Sequence, residues 1–342
     1  MDLLNSLLLS LLSPMVLAFL LGIVATLVRS DLKIPEQLYQ ALTIYLLFAI
    51  GLKGGAKLDG VALADFARPA GAAVALCVAI PVWSYFLLRR GGRFSRVDAA
   101  ALAAHYGSVS AVTFGESLAF LDILKVPHEP FLPALLAVME VPAIIIALVL
   151  AGRRSAEAVG RVAPSPLALG IVPAATPGPW SRVLHELLTS KGIVLLLGGM
   201  AIGLLSGKKG YEQVGPLFDA PFRGVLTLFL LEIGLVTGRR LGDLKAAGFF
   251  LCGFAVMMPF LHGLLGVWLG QWAGLGIGGA TVLGTLAASA SYIAAPAAVR
   301  VALPEANPAL YLTASLAITF PFNVVFGIPA YYTFARWLLA AG

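Results

Sequence analysis

The sequence predicts an all-α polytopic membrane protein of ten transmembrane helices, arranged as 5+5 inverted repeats with one broken, crossing helix in each. Three observations predict it: apolar stretches long enough to cross a bilayer, a shared order of motifs in two halves, and small polar interruptions at matching positions in both. Of the 342 residues, 60% are hydrophobic and only 12% are charged, about half the charged share of soluble domains. A water-soluble fold has no use for so much apolar surface. About 20 helical residues cross a ~30 Å hydrocarbon core, and the apolar stretches have that length.

Taken in order by apolar length and by Gly/Pro breakers, the helices fall near 14–29, 35–53, 68–88, 98–121 and 130–151, then near 190–206, 220–237, 246–270, 276–300 and 307–337. Residues 1–151 form the first repeat and 190–342 the second. Between them 152–189, with Arg153, Arg154, Arg161 and Arg182 among prolines and small residues, reads as a linker. The N-terminal run begins with Asp2 and has neither a basic n-region nor a small-residue cleavage site, so it is expected to remain as a first helix. Cys77 and Cys252 sit in apolar stretches without metal or redox spacing and are expected to be small core residues.

The net charge of +6 would raise the question of nucleic acid in a soluble protein, but here the basic residues lie between apolar spans, where topology explains them and nucleic acid is not expected. Of the 23 Lys and Arg, 15 fall in the first, third, fifth, seventh and ninth inter-helix loops, with Arg89, Arg90, Arg93 and Arg96 as the densest group; the other eight fall on the opposite side. The positive-inside rule then puts the linker in the cytoplasm and both termini outside, in a bacterial inner membrane.

The two halves repeat. Ile50-Gly51-Leu52 with Gly55 matches Ile233-Gly234-Leu235 with Gly238 at an offset of 183, and the same offset lays 104–112 onto 287–295. Gly22 corresponds to Gly199, and Pro142 to Pro321, at slightly smaller offsets. Five helices per repeat force the second copy to insert upside down, an architecture common in secondary transporters.

Helices four and nine carry the interruptions Gly107-Ser108-Val109-Ser110 and Ser289-Ala290-Ser291-Tyr292, the second followed by Pro296. Glycine and clustered serines let the backbone leave the helical ladder, and each second half-helix would point its positive N-terminal end at the membrane centre. Such a backbone survives at depth only when it faces protein or water, and its natural occupant is an anion. As an alternative, the small residues pack helices closely, as the GxxxG pairs Gly203/Gly207 and Gly270/Gly274 would; a matching motif in both repeats favours a site.

Glu140 stands at the middle of helix five, where an unpaired acid costs at least ~2.5–3.5 kcal/mol. Its repeat counterpart lies near Thr319, with Asn323 one turn on, and hard oxygen ligands of these types suit sodium. A protonated Glu140 bonded to a neighbouring helix is the bland alternative. Glu116, roughly 9 Å along the helix from Ser110, faces either a vestibule or the solvated helix end, Glu232 pairs locally with Arg239 or Arg240, and His105 is expected to pack, with a substrate or proton role as the alternative. With no HExxH, GxSxG or GxxxxGK[ST] in the chain, enzymatic and ATP-driven functions lack their parts. Transport is expected to run on an ion gradient.

The strings 105–114 (HYGSVSAVTF) and 289–298 (SASYIAAPAA), together with 304–308 (PEANP) and 319–323 (TFPFN), resemble the crossing-helix motifs of the SbtA-type sodium-dependent bicarbonate transporter family, and the likeness spans nearly the whole chain. The resemblance implies an elevator fold akin to bile-acid symporters and sodium/proton antiporters. In it helices one, two, six and seven form a scaffold around a mobile core. It further implies a homotrimer in membrane lipid, a cytoplasmic PII-like regulatory protein, bicarbonate held between the crossing helices and co-transported Na+ beside it. Gly107, Ser108, Ser110, Ala111, Ser289, Ser291, Tyr292 and Ile293 then inherit the anion, and Glu140, Thr319, Asn323, Thr113 and Glu116 are the candidates for sodium. The expected function is sodium-coupled import of bicarbonate or a like small anion. The alternatives are a sodium/proton antiporter, which would want an aspartate pair at the crossing, or a sodium symporter of another small organic anion.

Overall fold

The computed structural model describes residues 3–58, 61–151, 185 and 188–341, and every regular element among them is helical. The linker expected at 152–189 falls almost wholly outside the described residues. Helices α1 (Leu3–Leu11) and α2 (Pro14–Leu27) meet at a 59° bend. The bend follows from Ser13-Pro14: the Ser13 hydroxyl accepts from Val16 N at 3.2 Å and Pro14 opens the next helix, a capped start that ends α1. The first membrane element therefore begins earlier than the expected 14–29.

Next come α3 (Glu36–Lys57), α4 (Leu63–Arg90), α5 (Arg96–Gly107), α6 (Ala111–Ile123), α7 (Leu132–Glu140) and α8 (Pro142–Ala151), the last two continuing as one span. Beyond the linker lie α9 (Lys191–Phe218), α10 (Ala220–Arg240), α11 (Leu244–Trp272), α12 (Ile277–Ala288) and α13 (Ala294–Ala302). Helix α9 runs well past the expected 206. Gly207 turns the chain at φ +61°, and the polar stretch from Lys208 onward, which reads as loop, resumes as helix.

The last span runs over Pro308–Ala340. It opens as α14 (Pro308–Leu312), loosens into π-helix at Thr313–Thr319 and again at Asn323–Gly327, and closes as α15 (Ile328–Ala341). The wider turns leave carbonyls for side chains: Thr237 donates to Leu316 O at 3.1 Å and Ser10 to Val324 O at 2.9 Å.

Seven helices among the described residues are long and apolar enough to cross a membrane, eight if the bent α1–α2 pair counts as one span. The pieces α5, α6, α12 and α13, at 12, 13, 12 and 9 residues, are individually too short. The apolar side chains left on the outside, Phe249, Leu205 and Trp272 among the most exposed, suit a lipid environment rather than water.

The most extensive packing joins α3 to α9 and α2 to α10. Backbone meets backbone there. A Cβ on Gly55 would run into the Met200 carbonyl, one on Gly203 into the Leu52 carbonyl, and one on Gly234 into the Phe19 carbonyl, so these glycines are what allow the approach. The four helices form one body. Helices α4 to α8 and α11 to α15 pack mainly among themselves, and the two interrupted helices run through their middle.

Candidate functional site: where two helix breaks meet

Residues 108–110 and 289–293 lie outside helix, as the Gly-Ser-Val-Ser and Ser-Ala-Ser-Tyr patterns predict. The two breaks touch and bond to each other. Ser110 N donates to Ser289 Oγ at 2.9 Å, and Ser291 N donates to the His105 carbonyl at 2.8 Å. Each bond satisfies a main-chain group that the break has orphaned, which is why serine and an open carbonyl sit at these positions.

The remaining helix ends are closed in the same manner. Ser108 Oγ donates to the carbonyl of Glu140, the last residue of α7, at 2.9 Å. The Asn323 side-chain amide donates to the carbonyl of Ala288, the last residue of α12, at 2.8 Å. At the starts of the second halves, the Ser110 hydroxyl accepts from Thr113 N at 3.2 Å and the Ser291 hydroxyl from Ala295 N at 3.1 Å. Both half-helices are thus capped by their own serines, and the first-turn amides of Ala111 and Val112 keep no intrahelical acceptor.

Between the breaks lies a cavity of about 10 Å³ lined by Leu47, Val109, Ser110, Ala111, Glu140, Ser291, Tyr292, Ile293 and Ala294. Six of these nine are residues the sequence singles out. Glu140 is 7% exposed, and its Oε2 has no hydrogen-bond partner among the described residues. Its Oε1 lies 3.3 Å from where a Cβ on Gly192 would stand, so the smallest residue at the start of α9 leaves it room. The Tyr292 hydroxyl lies near Ser110 and Thr113 but makes no hydrogen bond of ordinary geometry. Gly107 ends α5 packed against Pro81 and Ala143.

Three of the residues expected around sodium do not line this cavity. Thr319 donates to the Ala255 carbonyl at 2.7 Å and shares a 2.7 Å hydrogen bond with the Tyr106 hydroxyl. Asn323, besides holding Ala288, accepts from the Tyr331 hydroxyl at 3.1 Å. Both brace the core around the breaks. Glu116, 4% exposed and with Oε2 unpartnered, faces a separate small cavity with Ser10, Ser13 and Met15 at the α1–α2 bend. The His105 ring bonds the Ala101 carbonyl at 2.7 Å and stacks on Tyr311 at 4.4 Å, a packing role. Glu232 pairs with Arg239 at 3.0 Å.

Sequence reasoning missed the apolar side of the cavity. Leu47 and Ala294 reach it from helical positions whose residue types carry no signal. Ala294 was within reach as the residue that opens α13 just past the break.

A family model described as the Na+-dependent bicarbonate transporter superfamily matches residues 14–336. That superfamily consists of transporters, not enzymes, and sodium is its coupling ion. Among curated proteins no sequence matches the chain.

Proposed function

Because the chain belongs to the Na+-dependent bicarbonate transporter superfamily, we propose that it imports bicarbonate with sodium, holding the anion where the breaks at 108–110 and 289–293 meet. The observation that carries the reading is the reciprocal bonding of Ser110 to Ser289 and of Ser291 to His105, which aims two half-helix N-termini at one buried point. Gly107, Ser108, Ala111, Tyr292 and Ile293 complete the anion site. The first-turn amides of α6 and α13 supply its donors.

Glu140 supplies the coupling. A carboxylate and a bicarbonate about 4 Å apart repel by about 4 kcal/mol at an effective dielectric near 20, roughly a thousandfold in affinity. Sodium beside Glu140 removes that repulsion, so the anion binds when the cation is present. Thr113, next to Tyr292, is a further candidate oxygen, and Glu116 is another buried carboxyl with an unpartnered oxygen, while Thr319 and Asn323 hold the frame.

The architecture proposed with it is ten spans in two inverted repeats, 1–151 and 190–342 about a cytoplasmic linker at 152–189. The broken pairs α5–α6 and α12–α13 each count as one span. Close packing supports the repeat: Gly22 meets Gly234 as Gly199 meets Gly51, the pairing that the repeat correspondence requires. Helices α2, α3, α9 and α10 form the scaffold and the remainder moves as an elevator. A bicarbonate needs more room than one water-sized cavity, so the breaks part to admit it. The homotrimer and the PII-like regulator rest on the family resemblance, and the inner-membrane location on the distribution of basic residues.

The test is uptake of labelled bicarbonate, sulfate and small carboxylates into proteoliposomes with and without inward sodium. Bicarbonate uptake that requires sodium is expected. Sodium-driven uptake of a carboxylate instead would reassign the substrate, and sodium–proton exchange without anion uptake would favour an antiporter.

A further inference from the structure

A cavity larger than the crossing site lies elsewhere in the molecule. It measures about 70 Å³ and opens where α3 ends and α10 begins, lined among others by Lys53, Lys57, Asp122, His128, Glu129 and Arg223. On the topology proposed above this is the external face. That face holds eight of the 23 basic residues, and three of the eight converge on this one cavity. Membrane insertion disfavours basic residues there, so the concentration asks for a reason.

Most of the charges are already engaged. Lys53 pairs with Asp219 at 2.9 Å, and Arg223 with Asp122 at 3.4 Å, with His128 3.7 Å from the same carboxyl. Burial raises the Asp219 carboxyl, but Lys53 and the Tyr211 hydroxyl outweigh it and hold the group below its ordinary value, so it stays ionised beside Lys53. Glu129 accepts from Gly276 N at 2.7 Å, at the start of α12, where the helix dipole favours an anion. Lys57 pairs with no described residue and lies in the field of Lys53, Asp122 and Asp219. Among the described residues it is the cation of the cavity that makes no ion pair, although the carboxyls of Asp122 and Asp219 act on it from a distance.

The cavity also leads somewhere. It shares Ile50 and Phe222 with a second, apolar cavity of about 10 Å³, and that one shares Leu47, Ala111 and Ile293 with the crossing site. Three spaces thus follow one another along α3: a charged mouth, a neck closed by Phe222, Leu226 and Ile50, and the polar crossing. An anion that must shed water to pass an apolar neck gains from being concentrated at its mouth.

We propose that this cavity is an entry site for the transported anion, a small oxyanion, and that Lys57 is the charge that draws it in. The proposal rests on the anion-transport reading, and two measurements keep the two apart. Initial uptake rates in proteoliposomes, at constant sodium and two ionic strengths, should give a KM about threefold to tenfold higher for Lys57→Gln, higher still for Lys57→Glu, and near wild type for Lys57→Arg, with kcat unchanged. Wild-type KM should rise with ionic strength and that of Lys57→Gln should not. A lysine that only reaches to lipid headgroups would leave KM and its salt dependence alone, and that result, or a change in kcat alone, would overturn the proposal.

The second measurement needs no transport. In a chain with Cys77 and Cys252 replaced by alanine and Leu118→Cys in the cavity wall, an anionic methanethiosulfonate should react faster relative to a cationic one than it does after Lys57→Glu. Equal ratios in the two chains would mean that Lys57 sets no potential in the cavity. Failure of wild-type uptake with this ratio intact would count against the transport reading and leave the influence of Lys57 on the mouth standing.

Discussion

At the scale of residues, the proposed function asks a cavity the size of one water to hold an anion beside a carboxylate. Glu140 has room there because Gly192 carries no side chain, and its carbonyl accepts from Ser108; in the proposed coupling, the Oε2 that has no described partner is where sodium acts. Glu140→Gln should therefore raise the sodium concentration for half-maximal uptake by about tenfold, the equivalent of about 1.4 kcal/mol, and, because the charge that repels the anion goes with it, should not raise the bicarbonate requirement. Wild-type sodium dependence in this variant would move coupling elsewhere, with Glu116 next. Asn323→Ala makes a contrasting case, because it leaves the buried Ala288 carbonyl unpaired at a cost of about 1–3 kcal/mol. It should lower the melting temperature in detergent and reduce uptake at every sodium concentration. A selective shift in sodium requirement with unchanged stability would make Asn323 an ion ligand instead of a brace. Glu140 itself was legible, since an acid at mid-span needs a reason; its surroundings were not, because Gly192 belongs to the other half of the chain.

Single substitutions also separate the elements that must pack from those that must open. Gly198 and Gly203 lie five residues apart on α9, yet a Cβ on Gly198 meets nothing within 4 Å and one on Gly203 collides with the Leu52 carbonyl. Gly203→Ala should cost about 1–3 kcal/mol by overpacking and Gly198→Ala nothing measurable, read as thermal stability by gel filtration; equal stability would mean that α3 and α9 are not pressed together. The interrupted helices were visible in the sequence because Gly107, Ser108, Ser110, Ser289 and Ser291 are poor helix-interior residues with hydroxyls suited to capping. The π-helical turns at Thr313–Thr319 and Asn323–Gly327 were not, since one extra residue per turn leaves no fixed residue pattern. Helix α1 escaped because Ser13-Pro14 marks the start of α2 more loudly than the end of its predecessor. The extension of α9 past Gly207 escaped because Lys208, Lys209 and Glu212 make a polar helix look like loop.

Whole-molecule claims depend on orientation. If the second repeat is inverted, Ser155 in the linker and Ala341 at the C-terminus face opposite sides of the membrane. With Cys77 and Cys252 replaced by alanine, a cysteine at Ala341 should react with an impermeant maleimide on intact cells and one at Ser155 should not. Labelling of both from one side would break the inverted repeat. Inversion matters because it turns two half-helix ends toward one point, and coupling matters because it sets the yield: one sodium per bicarbonate is electroneutral, and a tenfold sodium gradient then supplies about 1.4 kcal/mol, enough for about tenfold accumulation. The most direct measurement is accumulation of labelled bicarbonate in proteoliposomes against a graded sodium ratio, for the wild-type chain and for a chain carrying Ser110→Leu with Ser291→Leu. Accumulation should rise with the sodium ratio in the first and be absent in the second at equal reconstitution. Accumulation without sodium, or undiminished in the double variant, would contradict a sodium-coupled anion site at the crossing of the two broken helices.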